Sequence, residues 1–244
     1  AEVRVSVPHR HCYTPSSVAV PRFTPKALIF LRSLKRHNDR EWFRKHRDTY
    51  ETYVRGPIVE IVDQLALDLP TFAPELVAAP KFSIYRIHRD TRFSPDKSPY
   101  KTQIAATFPH RNLGRHNGAS LYFHVATDHV LVGGGIYAPE SRQLYRVREH
   151  VATNLTRLRA IVNAPAFRRN YGTVLGKQLQ RVPRGFAPDH PAAEYLRFKQ
   201  FLAVCKRPAS FATGPRFYGS LLRLFEQIYP FIRFLNEPIA NNSF

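Results

Sequence analysis

Apolar residues recur at helical spacing soon after the start of the chain. Ala27, Leu28, Leu31 and Leu34 form one stripe, with Thr24 placed to cap the helix and Pro25 at its first position. A second start is expected at Asn38, with Glu41 three residues on in a capping-box arrangement. Its stripe is Trp42, Phe43, His46, Tyr50 and Tyr53. Gly56-Pro57 then punctuates, and a third helix carries Ile58, Ile61, Val62, Leu65 and Leu69 as far as Pro70.

The period then changes from helical to alternating. Residues 82–89, 102–108, 120–126 and 130–137 read as short strands. Thr127-Asp128-His129 is too short for a parallel crossover, so the last two strands are antiparallel neighbours. Gly133-Gly134-Gly135 stands at the end of the fourth strand, where a bulge or a close backbone approach is expected. Helices return after Pro139 with Leu144, Val147, Val151, Leu155 and Leu158. Residues 194–201 read as a short helix or strand. A final helix runs through Phe217, Leu221, Leu224, Phe225, Ile228, Ile232 and Leu235, with a kink at Pro230. Helices, antiparallel strands and helices in that order spell an α+β protein. The expected division is a poorly ordered arm over residues 1–22, one compact domain over 23–238 and a tail over 239–244.

The chain has 244 residues, of which 43% are hydrophobic, enough to build a core without metals or disulfides. Cys12 and Cys205 are too few for a secreted disulfide framework. No stretch reaches the ~18 apolar residues of a membrane span, and the first residues lack the apolar run of a signal peptide. These features lead us to expect a cytoplasmic protein with no membrane partner. The net charge of +19 points to polyanionic partners: a phosphorylated metabolite, nucleic acid or an acidic protein. The charge is uneven. Residues 81–116 hold eight Lys or Arg against two acids, whereas residues 51–75 hold five acids and one Arg.

The basic stretch contains the densest chemistry, from Tyr85 to Lys101. In extended backbone Arg86 and His88 share one face, and Tyr85, Ile87 and Arg89 the other. Ser94-Pro95-Asp96-Lys97 suits a tight turn, after which Pro99 forces Ser98 to be extended. Arg89, Arg92, Lys97 and Lys101 can converge around that turn, and guanidinium groups bind phosphate or carboxylate through paired hydrogen bonds. Tyr100 adds a hydroxyl or a stacking ring. The competing expectation is a set of ion pairs with Asp90, Asp96 or Glu41. A catalytic version of the site would use His88 or Asp90 for proton transfer.

The run Arg86, Arg89, Asp90, Arg92 and Phe93, followed by Asp96, Lys97, Pro99, Tyr100 and Lys101, resembles the signature of domain-of-unknown-function family 2461, a bacterial family also found within longer fungal chains. The likeness extends to Asn38-Asp39-Arg40-Glu41-Trp42-Phe43, to Gly133 through Pro139, to Arg148, and to Leu196-Arg197-Phe198-Lys199, so it spans about residues 23–236. His37 stands where the first of two asparagines is usual. The resemblance implies no particular reaction.

Other chemistry is sparser. The glycines lack the Lys-Ser or Lys-Thr of a phosphate loop, but Gly133, Gly134 and Gly135 can offer a bare backbone floor to a flat or phosphorylated ligand. Arg148, on the helix that follows, joins the candidate ligand residues. His9-Arg10-His11-Cys12 is compact but lies in the arm. His116, His124 and His129 lack metal-ligand spacing, and His124, sharing a strand face with Tyr122, reads as a satisfied, partly buried histidine. No metal site and no identifiable cofactor follow from the sequence. The reading is of an anionic-ligand site, with a nucleic-acid-binding module or a docking face for an acidic protein as alternatives.

Overall fold

In the computed structural model, residues 20–92, 95–113 and 117–240 are described. The arm with its His9–Cys12 cluster, and Phe93, Ser94 and His116, lie outside them. The N-terminal helices form where the apolar spacing places them. α1 (Pro25–Arg36) starts after Thr24, with Pro25 in its first turn, and buries Ala27, Leu28, Leu31 and Leu34. α2 (Arg40–Lys45) and α3 (Arg47–Tyr50) follow, then a π-helical turn over Glu51–Arg55 that leads into α4 (Gly56–Asp68). The expected cap on α2 shifts by one residue: the Asp39 carboxylate, not Asn38, accepts from the Trp42 N–H at 2.8 Å.

The sheet has four strands in the order β1 (Gln103–Phe108), β2 (Ser120–Ala126), β3 (His129–Ile136) and β4 (Phe201–Pro208), each antiparallel to its neighbour. Two strand assignments need correction. Residues 82–89 do not form a ladder strand. Pro80 opens a one-turn helix, α5 (Pro80–Ser83), in which the Ser83 hydroxyl accepts from the Ala79 N–H. Beyond it, the chain touches β1 only through single bridges such as Ile84 to Ala106. The fourth strand comes instead from residues 201–208, whose burial alternates.

The connection from β3 to β4 holds α6 (Ser141–Thr153), α7 (Leu155–Asn163), α8 (Pro165–Tyr171) and α9 (Ala193–Leu196). The last helix, α10 (Phe217–Ala240), runs through Pro230 and lies under β2 and β3. Phe225 meets Phe108 and Phe123 edge-on or tilted, while those two rings stack at 6.3 Å. At the far end of α10, the buried Asn236 side chain accepts from the Ala119 N–H and donates to the Ala119 carbonyl, fixing the start of β2. Together these elements form one α+β domain.

The three glycines sit inside β3, paired on both sides in unbroken register, so no bulge is present. A Cβ on Gly133 would run into the Ala203 carbonyl, and one on Gly134 would meet Ser120 and the Ile232 side chain of α10. Gly135 also has a φ of +132°. Close backbone approach therefore accounts for all three. Gly135→Ala is expected to cost more than about 2 kcal/mol in urea melts, because it combines a disfavoured φ with a backbone clash. Gly219→Ala is the control. It is helical with nothing within 4 Å of the added Cβ, and is expected to gain up to about 1 kcal/mol.

Burial also predisposes the fold to acid. His124 is buried on the sheet, and loss of hydration pushes its pKa down to about 4. Burial likewise depresses His110 and His150. Each is neutral in the folded chain and charges on unfolding, so stability is expected to fall as pH drops from about 6.5 toward 4. His124→Gln should flatten that fall measurably in denaturant melts.

Candidate functional site

The signature segment leaves the sheet and returns as an irregular hairpin. The Arg89 N–H donates to the Pro99 carbonyl at 2.9 Å and the Lys101 N–H to the Ile87 carbonyl at 2.8 Å, with His88 opposite Tyr100. Burial alternates as the sequence predicted: Arg86 and His88 are exposed, Ile87 is buried, Tyr85 and Arg89 are half-buried. Within the hairpin most charges find partners. Arg89 pairs with Asp96 at 2.9 Å. Asp96 also accepts from the Ser98 N–H and hydroxyl, which hold its carboxyl below the usual range. Lys97 donates to the Thr91 carbonyl at 2.9 Å, and Lys101 to the Arg86 carbonyl at 3.1 Å.

Asp90 and Arg92 form a two-point pair at 3.1 and 2.8 Å. That hydrogen bonding pulls Asp90 down to about 2. A carboxylate held so acidic is a poor proton acceptor at neutral pH. Among the described residues His88 makes no hydrogen bond to Asp90; its neighbours are the rings of Tyr100 at 5.2 Å and Phe43 at 6.3 Å.

One long-range contact fixes the hairpin to the helices. The Asn38 side chain donates to the Tyr100 carbonyl and accepts from the Tyr100 N–H, both at 3.0 Å. This places the buried Tyr100 ring on Phe43, stacked at 4.2 Å. Between these helices and the hairpin lies a cleft of about 390 Å³. Arg40, Arg44 and Arg47 line it from α2 and α3, Arg55 from the π-helical turn, and Arg86 and His88 from the hairpin. Phe43, Tyr50 and Tyr100 supply its apolar wall. Among its described lining residues the one carboxylate, Glu51, faces Arg55 at 3.6 Å. Burial and that carboxylate push the Tyr50 hydroxyl up to about 12. Among the described residues, no carboxylate lies within ion-pair distance of Arg40, Arg44, Arg47 or Arg86.

The structure thus brings Arg86, His88 and Tyr100 together, while Gly133, Gly134, Gly135 and Arg148 do not line this cleft. Arg148 is buried in α6, where it donates to the Phe198 carbonyl at 2.9 Å. Burial pushes its pKa down. The sequence reading missed Arg40, Arg44 and Arg47. Their recurrence on one short helical stretch is visible in the sequence, but only Arg40 enters its reading, and only as part of the family likeness. A second cavity of about 320 Å³ is lined by Lys26, Phe30, His37, Trp42, His46 and Tyr53, with Trp42 and His46 stacked at 4.0 Å. Trp42 is thus only partly buried against the core.

Asn38→Ala should strand the Tyr100 N–H and leave its carbonyl with only the 3.5 Å contact from Arg89, at a cost of about 1–3 kcal/mol. In hydrogen-exchange measurements it is expected to raise exchange at Arg89, Tyr100 and Lys101 more than in β2 and β3. Uniform loss of protection across the domain would show that the contact is not local to the hairpin.

No helix among the described residues is long and apolar enough to cross a membrane. No curated protein matches the chain. Residues 26–234 match the family described as conserved hypothetical protein, DUF2461, and with that match covering most of its length the chain belongs to this family.

Proposed function

We propose that the cleft binds a compact anionic ligand, a phosphorylated or carboxylated small molecule, between α2–α3 and the hairpin. One observation carries the reading: Arg40, Arg44, Arg47 and Arg86 reach the same cleft without a carboxylate partner among the described residues. Converging guanidinium groups repel one another unless an anion joins them. Their planar forks suit phosphate or carboxylate oxygens. The volume of about 390 Å³ is that of a small-molecule site. The wall of Phe43, Tyr50 and Tyr100 would take an apolar or ring portion of the same ligand.

Arg89, Arg92, Lys97 and Lys101 enter this reading at one remove. Their charges engage Asp96, Asp90 and backbone carbonyls, so they shape the hairpin that presents Arg86. A nucleic-acid backbone would call for a continuous basic track, whereas these arginines line one cleft.

Calorimetry with inorganic pyrophosphate tests the proposal. Arg44→Ala, Arg47→Ala and Arg86→Ala should each weaken binding by roughly tenfold or more, as expected for losing a charged hydrogen bond. Melting temperatures should be unchanged, since these side chains are exposed and form no ion pair among the described residues. Arg92→Ala should weaken binding less than Arg86→Ala. Equal affinity in all variants, or heparin binding that none of them alters, would reduce the +19 charge to a non-specific effect.

A further inference from the structure

Helices cover one face of the sheet; on the other, Ala105, Thr107, His124 and Gly133 are buried, and a partly exposed patch remains around Tyr122 and Leu131. Leu121, Phe123 and Val125 point into the core, fully buried, against α10. Cross-strand partners share a face, so the opposite face carries Thr107, Tyr122 and Gly133 in one row and Ala105, His124, Leu131 and Lys206 in the next. Tyr122, Leu131, Leu202 and Val204 are half-exposed there, and Lys206 is exposed. The hydroxyl of Tyr122 lies 3.0 Å from Nδ1 of His124. Nε2 of His124 lies 3.1 Å from Nε2 of His129, and Nδ1 of His129 lies 2.9 Å from the Asp128 carboxylate. Four side chains from two strands and the turn between them form one chain of hydrogen bonds.

The donors in that chain have only one consistent order when both rings are neutral. The Asp128 carboxylate only accepts, so His129 carries its proton on Nδ1 and its Nε2 accepts. His124 must then carry its proton on Nε2, which leaves its Nδ1 to accept from the Tyr122 hydroxyl. Every proton points toward Asp128. The Tyr122 oxygen, having donated to His124, keeps lone pairs that can accept, and its residue is partly exposed. At the other end Asp128 is 71% exposed and His129 is 23% exposed, so a proton arriving there reaches water.

We propose that Tyr122, His124, His129 and Asp128 form a proton relay that accepts the proton of a weakly acidic hydroxyl, enolic or phenolic, on a flat, largely apolar ligand lying across this face. The ligand hydroxyl gives its proton to the Tyr122 oxygen. The Tyr122 proton moves to Nδ1 of His124, and the Nε2 proton of His124 moves to Nε2 of His129. The ligand ends as an oxyanion hydrogen-bonded by Tyr122, and the positive charge rests on His129 beside the Asp128 carboxylate. Burial opposes charge at the intermediate positions: it pushes His124 down to about 4 and raises the Tyr122 hydroxyl above its ordinary value. The proton therefore passes through them without stopping. Lys206, whose charge reaches both His124 and Asp128, adds to the penalty on a charged His124. Imidazole is too weak a base to deprotonate an alkyl alcohol, which fixes the acidic class of the hydroxyl. Gly133 opposite Tyr122 offers no side chain, and the Tyr85 ring stands edge-on to Tyr122 at 6.3 Å. Leu131 and Val204 complete an apolar bed. None of these four relay residues lines the arginine cleft, so the proposal stands or falls separately from the anion reading.

The probe is 4-nitrophenol, whose ionisation is read by absorbance, together with nitrogen-15 spectra of the imidazoles in the full chain. At pH 7.5 the spectra should show His124 protonated on Nε2 and His129 on Nδ1. The bound probe should be about tenfold more ionised, as a ratio of phenolate to phenol, than free probe at the same pH, with His129 becoming doubly protonated. Tyr122→Phe and Asp128→Ala should each abolish the rise in protein that remains folded; Asp128→Ala, at an exposed position, should melt as wild type does, while Tyr122→Phe should melt lower because Nδ1 of buried His124 loses its donor. The proposal is overturned if the wild type shows no rise, if the rise survives Tyr122→Phe, or if the tautomers are reversed. It is equally overturned if one equivalent of zinc binds both Nε2 atoms, which would make the pair a metal site.

Discussion

The close approach of α10 to β3 is the contact on which the rest of the domain depends. A Cβ at Gly134 would come within 2.7 Å of the Ile232 side chain and would also strike the Ser120 carbonyl of β2. Only a bare backbone lets the helix lie this near the strand while the strand keeps both of its ladders. That proximity brings Phe225 onto Phe108 and Phe123, and Phe217 onto Phe123. Ring burial of this kind contributes heavily to core stability. Because the helix takes one face of the sheet, the polar alternates of β2 and β3 are turned to the other. The position of Tyr122 and His124 thus follows from the same packing that buries Phe123 between them.

Two asparagines extend this order to segments that have no ladder of their own. Asn236 holds both backbone groups of Ala119, and Asn38 does the same for Tyr100. A side-chain amide has one acceptor and one donor side and so can satisfy a backbone N–H and C=O together. Asn38 joins residues 62 apart in sequence and determines how far the hairpin stands from α2. The width of the arginine cleft is a consequence of that one amide. Most of the signature's own charges then serve the hairpin, leaving Arg86 and His88 to face the cleft.

Much of the fold was legible where a single period ran long enough. α1, α4 and α10 follow their apolar stripes, and β2 and β3 follow their alternation and short turn. β4 escaped because Phe201, Leu202, Ala203, Val204 and Cys205 make a continuous apolar run, which carries no period to distinguish strand from helix. The reverse error at residues 82–89 has a local cause: Pro80 favours a helical turn and the Ser83 hydroxyl stabilises it, so the alternation downstream never joins a ladder. In the site, the charge of the hairpin was readable, and of the two expectations for it, ligand clamp or ion pairs, the ion pairs with Asp96 and Asp90 are the ones that Arg89 and Arg92 form. Whether Arg89 meets Asp96 or a ligand depends on where a turn closes. The contribution of α2 and α3 was hidden because exposed arginines on a helix look alike whether they face water or a cleft.

The distribution of acids explains why that cleft remains positive. The chain has 18 acidic residues against 37 basic ones, and many of the acids are committed to the fold. Asp68 accepts from Tyr218, and Glu75 from Tyr229. Glu237 is held by Arg157 and lies beside His150. Asp90, Asp96 and Asp128 are engaged by Arg92, Arg89 and His129. Each of these carboxylates already has a partner, so none can turn toward Arg44 or Arg47 without leaving that partner without its acceptor. A carboxylate moved into the cleft would have to come from outside the network. An anionic ligand supplies that charge without disturbing any pair the fold already uses.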